Sequence, residues 1–127
     1  MQNQLDAVAK FHNAFGVDMA NQPTANLSKE INQLRYKLMA EENNEYLAAA
    51  NNKDLVEVAD ALGDMLYILC GTILSHGMQD IIIDVFDEIQ QSNMSKLGAD
   101  GKPIYREDGK VMKGPNYRKP NLGQFLD

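Results

Sequence analysis

Tryptophan is absent, cysteine occurs once and histidine only twice in this chain of 127 residues. A single cysteine, Cys70, excludes an intramolecular disulfide framework and suits a reducing cytoplasm. It lies in an apolar stretch with no nearby cation in sequence, so a buried, inert thiol is expected. Two isolated histidines, His12 and His76, leave no Cys/His cluster and no Glu-x-x-His motif, so zinc and di-iron chemistry lack their usual ligands. Each reads as a structural histidine. Long apolar runs are also missing, and the first residues lack the basic start and apolar run of a signal peptide, so no membrane association is expected. Base is scarce as well: 12 Lys plus Arg stand against 18 acids, a formal charge of −6. Duplex nucleic acid is therefore an unsuitable partner.

Leu, Ile, Met, Val and Ala are plentiful, a composition that favours helices. Leu5, Val8, His12 and Phe15 recur at helical spacing ahead of Gly16, predicting a helix over 3–15. Ser28 is a natural N-cap for a second helix over 29–50. The break "NNKD" ends that helix, and Asp54 caps a third that reaches Gly77, making an antiparallel hairpin. A fourth helix is expected in "QDIIIDVFDEIQQSNMSKLG", ending at Gly98. Four helices in one domain over 1–127 predict an all-α, four-helix bundle. From about residue 99 the chain turns irregular, with Gly, Pro, two Asp-Gly turns and room for a short hairpin around Asp108-Gly109. Lys102, Arg106, Lys110, Lys113, Arg118 and Lys119 make this tail locally basic.

The chemistry lies in "EENNEYLAAANNKDLVEVADALGD", residues 41–64. At 100° per residue, Glu45 falls within the apolar stripe of Ile31, Leu34 and Leu38, Glu41 lies beside it and Glu42 at its edge. Glu57, Asp60 and Asp64 share a stripe of the third helix. Carboxylates facing an interior without partners cost several kcal/mol each or take up protons. Bases on these two helices are few and mostly off the stripes, so a divalent metal is the expected counter-charge. Glu42 with Glu45 and Glu57 with Asp60 are i,i+3 pairs, each able to offer two oxygens from one turn, and an all-carboxylate shell suits Mg²⁺ or Mn²⁺. Solvated helix faces paired with Lys or Arg are the alternative.

The order Glu-Glu-x-x-Glu followed by Glu-x-x-Asp, here "EENNE" and "EVAD", resembles the metal motif of the all-α NTP pyrophosphohydrolases, the MazG-like and phosphoribosyl-ATP pyrophosphohydrolase-like superfamily. The long helix "EVADALGDMLYIL" and the tail "SNMSKLGADGKPIYREDGKVMKGPNY" extend the resemblance over most of the chain. It implies hydrolysis of a nucleoside triphosphate between the α and β phosphates, giving a monophosphate and pyrophosphate, as nucleotide-pool house-cleaning in the cytoplasm. It also implies that Glu42, Glu45, Glu57 and Asp60 ligate Mg²⁺, that Glu41 assists a second metal or orients water, and that Asp64 supports the shell or binds a further ion. Asn93 and Lys96 continue the Ile82, Phe86, Ile89 stripe of the fourth helix and are candidate sugar and phosphate contacts; Lys110, Lys113, Tyr117 and Arg118 are candidates to close over the polyphosphate. Phe11 and Phe15 are candidates to stack a base. A homodimer or homotetramer is expected. The alternatives are a phosphoribosyl-ATP pyrophosphohydrolase and a non-catalytic nucleotide- or metal-binding assembly module.

Overall fold

Ser28 and Asp54 decide where the two long helices start. In the computed structural model, which describes residues 1–126, Ser28 Oγ accepts a hydrogen bond from the Ile31 amide at 3.1 Å, and Asp54 Oδ1 accepts one from the Glu57 amide at 3.1 Å. Each satisfies an amide that the first helical turn leaves without a partner. The helices are α1 (Gln2–Phe15), α2 (Lys29–Asn51), α3 (Leu55–Ser75) and α4 (Ile82–Met94), and the class is all-α. Between α2 and α3 the chain turns in three residues, with Lys53 at positive φ (54°).

Two compact units follow from the packing, one over Met1–Asp80 and one from Ile81 onward. In the first, α2 and α3 form the antiparallel hairpin and α1 packs on α3. Leu5, Val8, Ala49, Ala61, Cys70, Ile73 and Leu74 make its buried apolar core. The connection from α1 to α2 is strapped along the end of α3: the Ala20 amide donates to Leu74 O and the Thr24 amide to His76 O. His76 Nδ1 returns a bond to the Thr24 carbonyl at 2.8 Å, so this histidine is satisfied by the fold. Gly77 adopts φ +68°, and a Cβ there would run into the Gln22 carbonyl, so the strap requires glycine.

The second unit holds α4 and the tail. The fourth helix ends at Met94, a turn earlier than Gly98, because the chain tightens into turns at Ser95 and Lys96. Its buried positions are Glu88 and Ser92, while Phe86 is 66% exposed, so the face covered in this unit is polar rather than the apolar stripe expected from the sequence. The tail supplies the partners that make this possible. Arg118 donates to Glu88 Oε2 at 2.8 Å, and the Asn121 amide donates to the same oxygen at 2.9 Å. Around Asp108-Gly109 the chain folds back on itself through a single antiparallel bridge, Tyr105 to Val111, and Gly109 takes φ +86°.

Although the sequence leads to the expectation of no bilayer-spanning run, α3 is 21 residues long with a mean hydropathy of 1.4, enough by length and composition alone. A core helix passes the same test, and α3 packs against both α1 and α2.

Candidate metal centre

The helical hairpin sets a register that brings acids together. Arg35 of α2 lies against Gly71 of α3, and two turns along, Glu42 meets Asp64. One carboxylate oxygen from each of Glu42, Glu45 and Asp64 lies within 4.8 Å of the others, a spacing that a single cation can bridge. Asp64, expected to support the shell or bind a further ion, is the third member of this compact cluster, which does not include Glu57 or Asp60. The reason is register: Glu57 sits near the closed end of the hairpin, where it lines a separate cleft with Glu45, Asp54, Asp60 and Ala49. That cleft has a volume of about 450 Å³ and adjoins the cluster through Glu45, common to both.

Electrostatics mark Glu42 as the strained member. Its Oε2 is buried without a hydrogen-bond partner. Desolvation is the main cause that raises its pKa above the ordinary glutamate range, and the charges of Glu45, Asp64 and Asp60 raise it further. No Lys or Arg forms an ion pair with any of these acids; among the described residues the ion pairs are Arg106–Asp108 and Arg118–Glu88. An unpartnered buried oxygen beside two further carboxylates, all hard donors, fits Mg²⁺ or Mn²⁺ and does not fit a soft metal. Burial is confined to Glu42: Glu45, Glu57 and Asp60 are exposed, contrary to the interior placement expected from the helical stripes, so the unpartnered Glu42 oxygen, and not the acids as a group, is what a solvated face without bases leaves unexplained.

Other candidates fall into three groups. Glu41 is exposed and joins neither the cluster nor the cleft, since one residue's rotation carries it off the face of Glu42. Asn93 is exposed and Lys96 half-buried, both in the second unit. Arg118, expected to be free to reach phosphate, spends its guanidinium on Glu88 and on Gln91 Oε1 at 3.2 Å. Lys113 lies over the Tyr117 ring, its Nζ 4.7 Å from the centroid, and the Lys110 amide donates to Asp108. Phe11 and Phe15 stack on each other with centroids 4.4 Å apart, and Phe11 meets Tyr67 edge-on.

Sequence reasoning missed the group around Gly71. Arg35 is buried at 7% exposure and His12 at 3%. His12 is not satisfied as expected: its Nδ1 has no partner, and burial followed by the Arg35 charge lowers its pKa, so the ring is held neutral. A Cβ on Gly71 would stand 2.5 Å from Arg35 Nη2 and 2.9 Å from His12 Nε2, so the missing side chain is what admits both. The signal was available in the two-turn spacing from Arg35 to Glu42, which puts them on one face of α2.

Residues 8–93 match the family described as phosphoribosyl-ATP pyrophosphohydrolase. No curated protein matches the chain. A solved structure from Exiguobacterium sp. 255-15, provisionally named an NTP pyrophosphohydrolase, is 33% identical over 93% of this chain and 89% of that one, with a TM-score of 0.47. The chain belongs to the phosphoribosyl-ATP pyrophosphohydrolase family, one of the all-α, MazG-like NTP pyrophosphohydrolases.

Proposed function

We propose that this protein hydrolyses a nucleoside or deoxynucleoside triphosphate between the α and β phosphates in a Mg²⁺-dependent reaction, as nucleotide house-cleaning in the cytoplasm. The observation that carries this reading is the cluster of Glu42, Glu45 and Asp64 with its unpartnered buried oxygen. These three would hold the metal, and Glu57 and Asp60, lining the adjoining cleft, would hold a second ion or its waters. When bound, Mg²⁺ supplies Lewis-acid polarisation of the phosphate and a more acidic water. Glu42, whose pKa is raised first by desolvation and then by its acid neighbours, gains most from a cation there. Glu45 belongs to both the cluster and the cleft, so it is the group best placed to link metal binding with the attacking water.

The family description favours a second reading, hydrolysis of phosphoribosyl-ATP at the same bond. Substrate panels separate the two. With Mg²⁺, ³¹P NMR should show monophosphate and pyrophosphate from a nucleoside triphosphate, and Glu45→Gln should reduce the rate by about 100-fold or more, by analogy with the loss on disturbing metal-site residues. Cleavage of phosphoribosyl-ATP alone would favour the second reading. Tight nucleotide or metal binding with no product from either would leave the non-catalytic module.

The partner in this reading is a second copy of the chain. Leu55, Leu62, Leu66 and Leu69 of α3 are all exposed, at 81, 50, 41 and 47%, and with Ala59 they follow the alternating four- and three-residue spacing of a helix-pairing seam. A homodimer or homotetramer through this stripe would cover it.

A further inference from the structure

Arg35 is 7% exposed and forms no ion pair among the described residues. Its guanidinium crosses from α2 to α3 instead: Nε donates to Thr72 Oγ1 at 3.1 Å and Nη2 to Ile68 O at 2.9 Å. Neither acceptor depends on it. The Thr72 hydroxyl itself donates to Ile68 O at 2.9 Å, so both groups stay paired if the arginine is removed. A buried guanidinium with no counter-charge costs stability, and burial lowers its pKa in consequence. Stability alone does not account for its presence, and the best-attested use of a buried polar group between helices is to specify how they align.

The alignment it makes is the one the acids need. From the contact of Arg35 with Gly71, seven residues forward on α2 reach Glu42 and seven back on α3 reach Asp64. Each step is two turns, about 10 Å, so the two pairs are rungs of one antiparallel register. The short turn holds the closed end of the hairpin, the bonds of Arg35 lie toward its other end, and the cluster sits between. Glu42, Glu45 and Asp64 bring three carboxylates within 4.8 Å with no Lys or Arg paired to them, so without a cation their repulsion pushes α2 away from α3 at that level. Arg35 also lines a cleft of about 320 Å³, but the lining of that cleft, Asp18 and Ser75 included, shares no residue with the cluster. Its influence on the acids therefore runs through the helix pair.

We infer that Arg35 is a positioning residue for the metal centre: its guanidinium clamps α2 to α3 beyond the acids, so that Glu42 and Asp64 stay together against their repulsion and present a formed shell to a cation. This rests on the metal-centre reading above. A formed shell binds a cation more tightly, because ordering and repulsion are met in folding rather than on binding. Partners that orient metal ligands typically carry about 10–100-fold of metal affinity. Stability and metal affinity should therefore respond to Arg35 in opposite senses.

The test measures Mn²⁺ binding, by the electron paramagnetic resonance of the free ion, beside urea denaturation in EDTA, for wild type, Arg35→Met, Thr72→Val and Val8→Ala. Arg35→Met should weaken Mn²⁺ binding by about 10-fold or more while its urea midpoint equals or exceeds that of wild type. Thr72→Val removes the acceptor of Nε and keeps the shape of the side chain; it should weaken Mn²⁺ binding by about 3-fold or more. Val8, 2% exposed, belongs to the core on α1. Its truncation should lower the urea midpoint and change Mn²⁺ affinity less than about 2-fold. In EDTA, nuclear Overhauser contacts between the Glu42 and Asp64 side chains should be present in wild type and lost in Arg35→Met. Mn²⁺ affinity of Arg35→Met within about 2-fold of wild type overturns the assignment. Loss of affinity in step with stability in all three variants, the mark of a merely structural arginine, overturns it too. Should Arg35→Met fail to fold, Thr72→Val decides by the same measures. If wild type binds no Mn²⁺, the metal-centre reading fails, and the Overhauser contacts judge the clamp separately: their loss in the variant supports it, and their retention there or absence from wild type overturns it.

Discussion

Glu42 Oε2 has neither a hydrogen-bond partner nor contact with solvent, and its pKa is raised. A raised carboxylate pKa means that the fold favours the protonated form. Its stabilising contribution is therefore complete below the unfolded-state pKa and is lost as pH rises through the folded one. In EDTA at pH 7.5, Glu42→Gln should raise the melting temperature, because it removes a charge the fold holds poorly; at pH 4 it should give no gain. Mg²⁺ should reverse the order at pH 7.5, raising the melting temperature of wild type more than that of the variant. Differential scanning fluorimetry at both pH values checks the sign. Gly71 makes a different kind of residue-scale demand. Gly71→Ala would place a methyl against Arg35 and His12, both fixed by packing, and should cost about 1–3 kcal/mol in urea denaturation.

At the scale of the element, α3 divides its circumference between tasks. Asp60, Asp64, Gly71 and Ser75 turn toward the sites shared with α2, and the exposed leucines lie off that face. The fourth helix reverses the usual preference by burying Glu88 and Ser92, which works only because the tail returns to supply donors. Hydrogen bonding by Arg118 is the largest cause that lowers the pKa of Glu88, followed by the Asn121 amide. A lowered carboxylate pKa contributes stability above the unfolded-state value, lost as pH falls through the folded one. Glu88→Gln should therefore release the tail at neutral pH, seen as faster hydrogen exchange at the Asn121 amide. Wild type should show the same release only in acid. Exchange at Asn121 that is unaffected by the substitution would mean that other contacts hold the tail.

For the whole molecule, exposed apolar surface is the dominant feature: besides the α3 leucines, Phe15 is 70% exposed and Phe86 66%. A chain of 127 residues has limited interior in which to bury such groups. Association of copies through α3 should appear in sedimentation as a dimer or tetramer, and Leu66→Glu should shift the population to monomer by placing a charge in the middle of the seam. A wild-type chain that sediments as a monomer at tens of micromolar would leave the stripe unexplained.

Local signals determined much of this protein. Caps at Ser28 and Asp54, the Asn-rich break and the apolar periodicity make the helices legible, since each depends on neighbours in sequence. The acid motif likewise pointed to the family and to four of the residues that line the cluster or the cleft, Glu42, Glu45, Glu57 and Asp60, with Asp64 one turn beyond it. Only the tertiary structure decided how those acids divide. Periodicity places a residue on a face of its own helix but says nothing about the axial register between two helices, and that register matched Asp64 with Glu42 and left Glu57 to the neighbouring cleft. The same limit hid Arg35. On its own helix it is one base among polar residues; its meaning comes from Gly71, 36 positions further along, where a missing side chain makes room for it. For Arg118 the deciding factor was the tail's return to Glu88, a contact between residues 30 apart that no local pattern encodes.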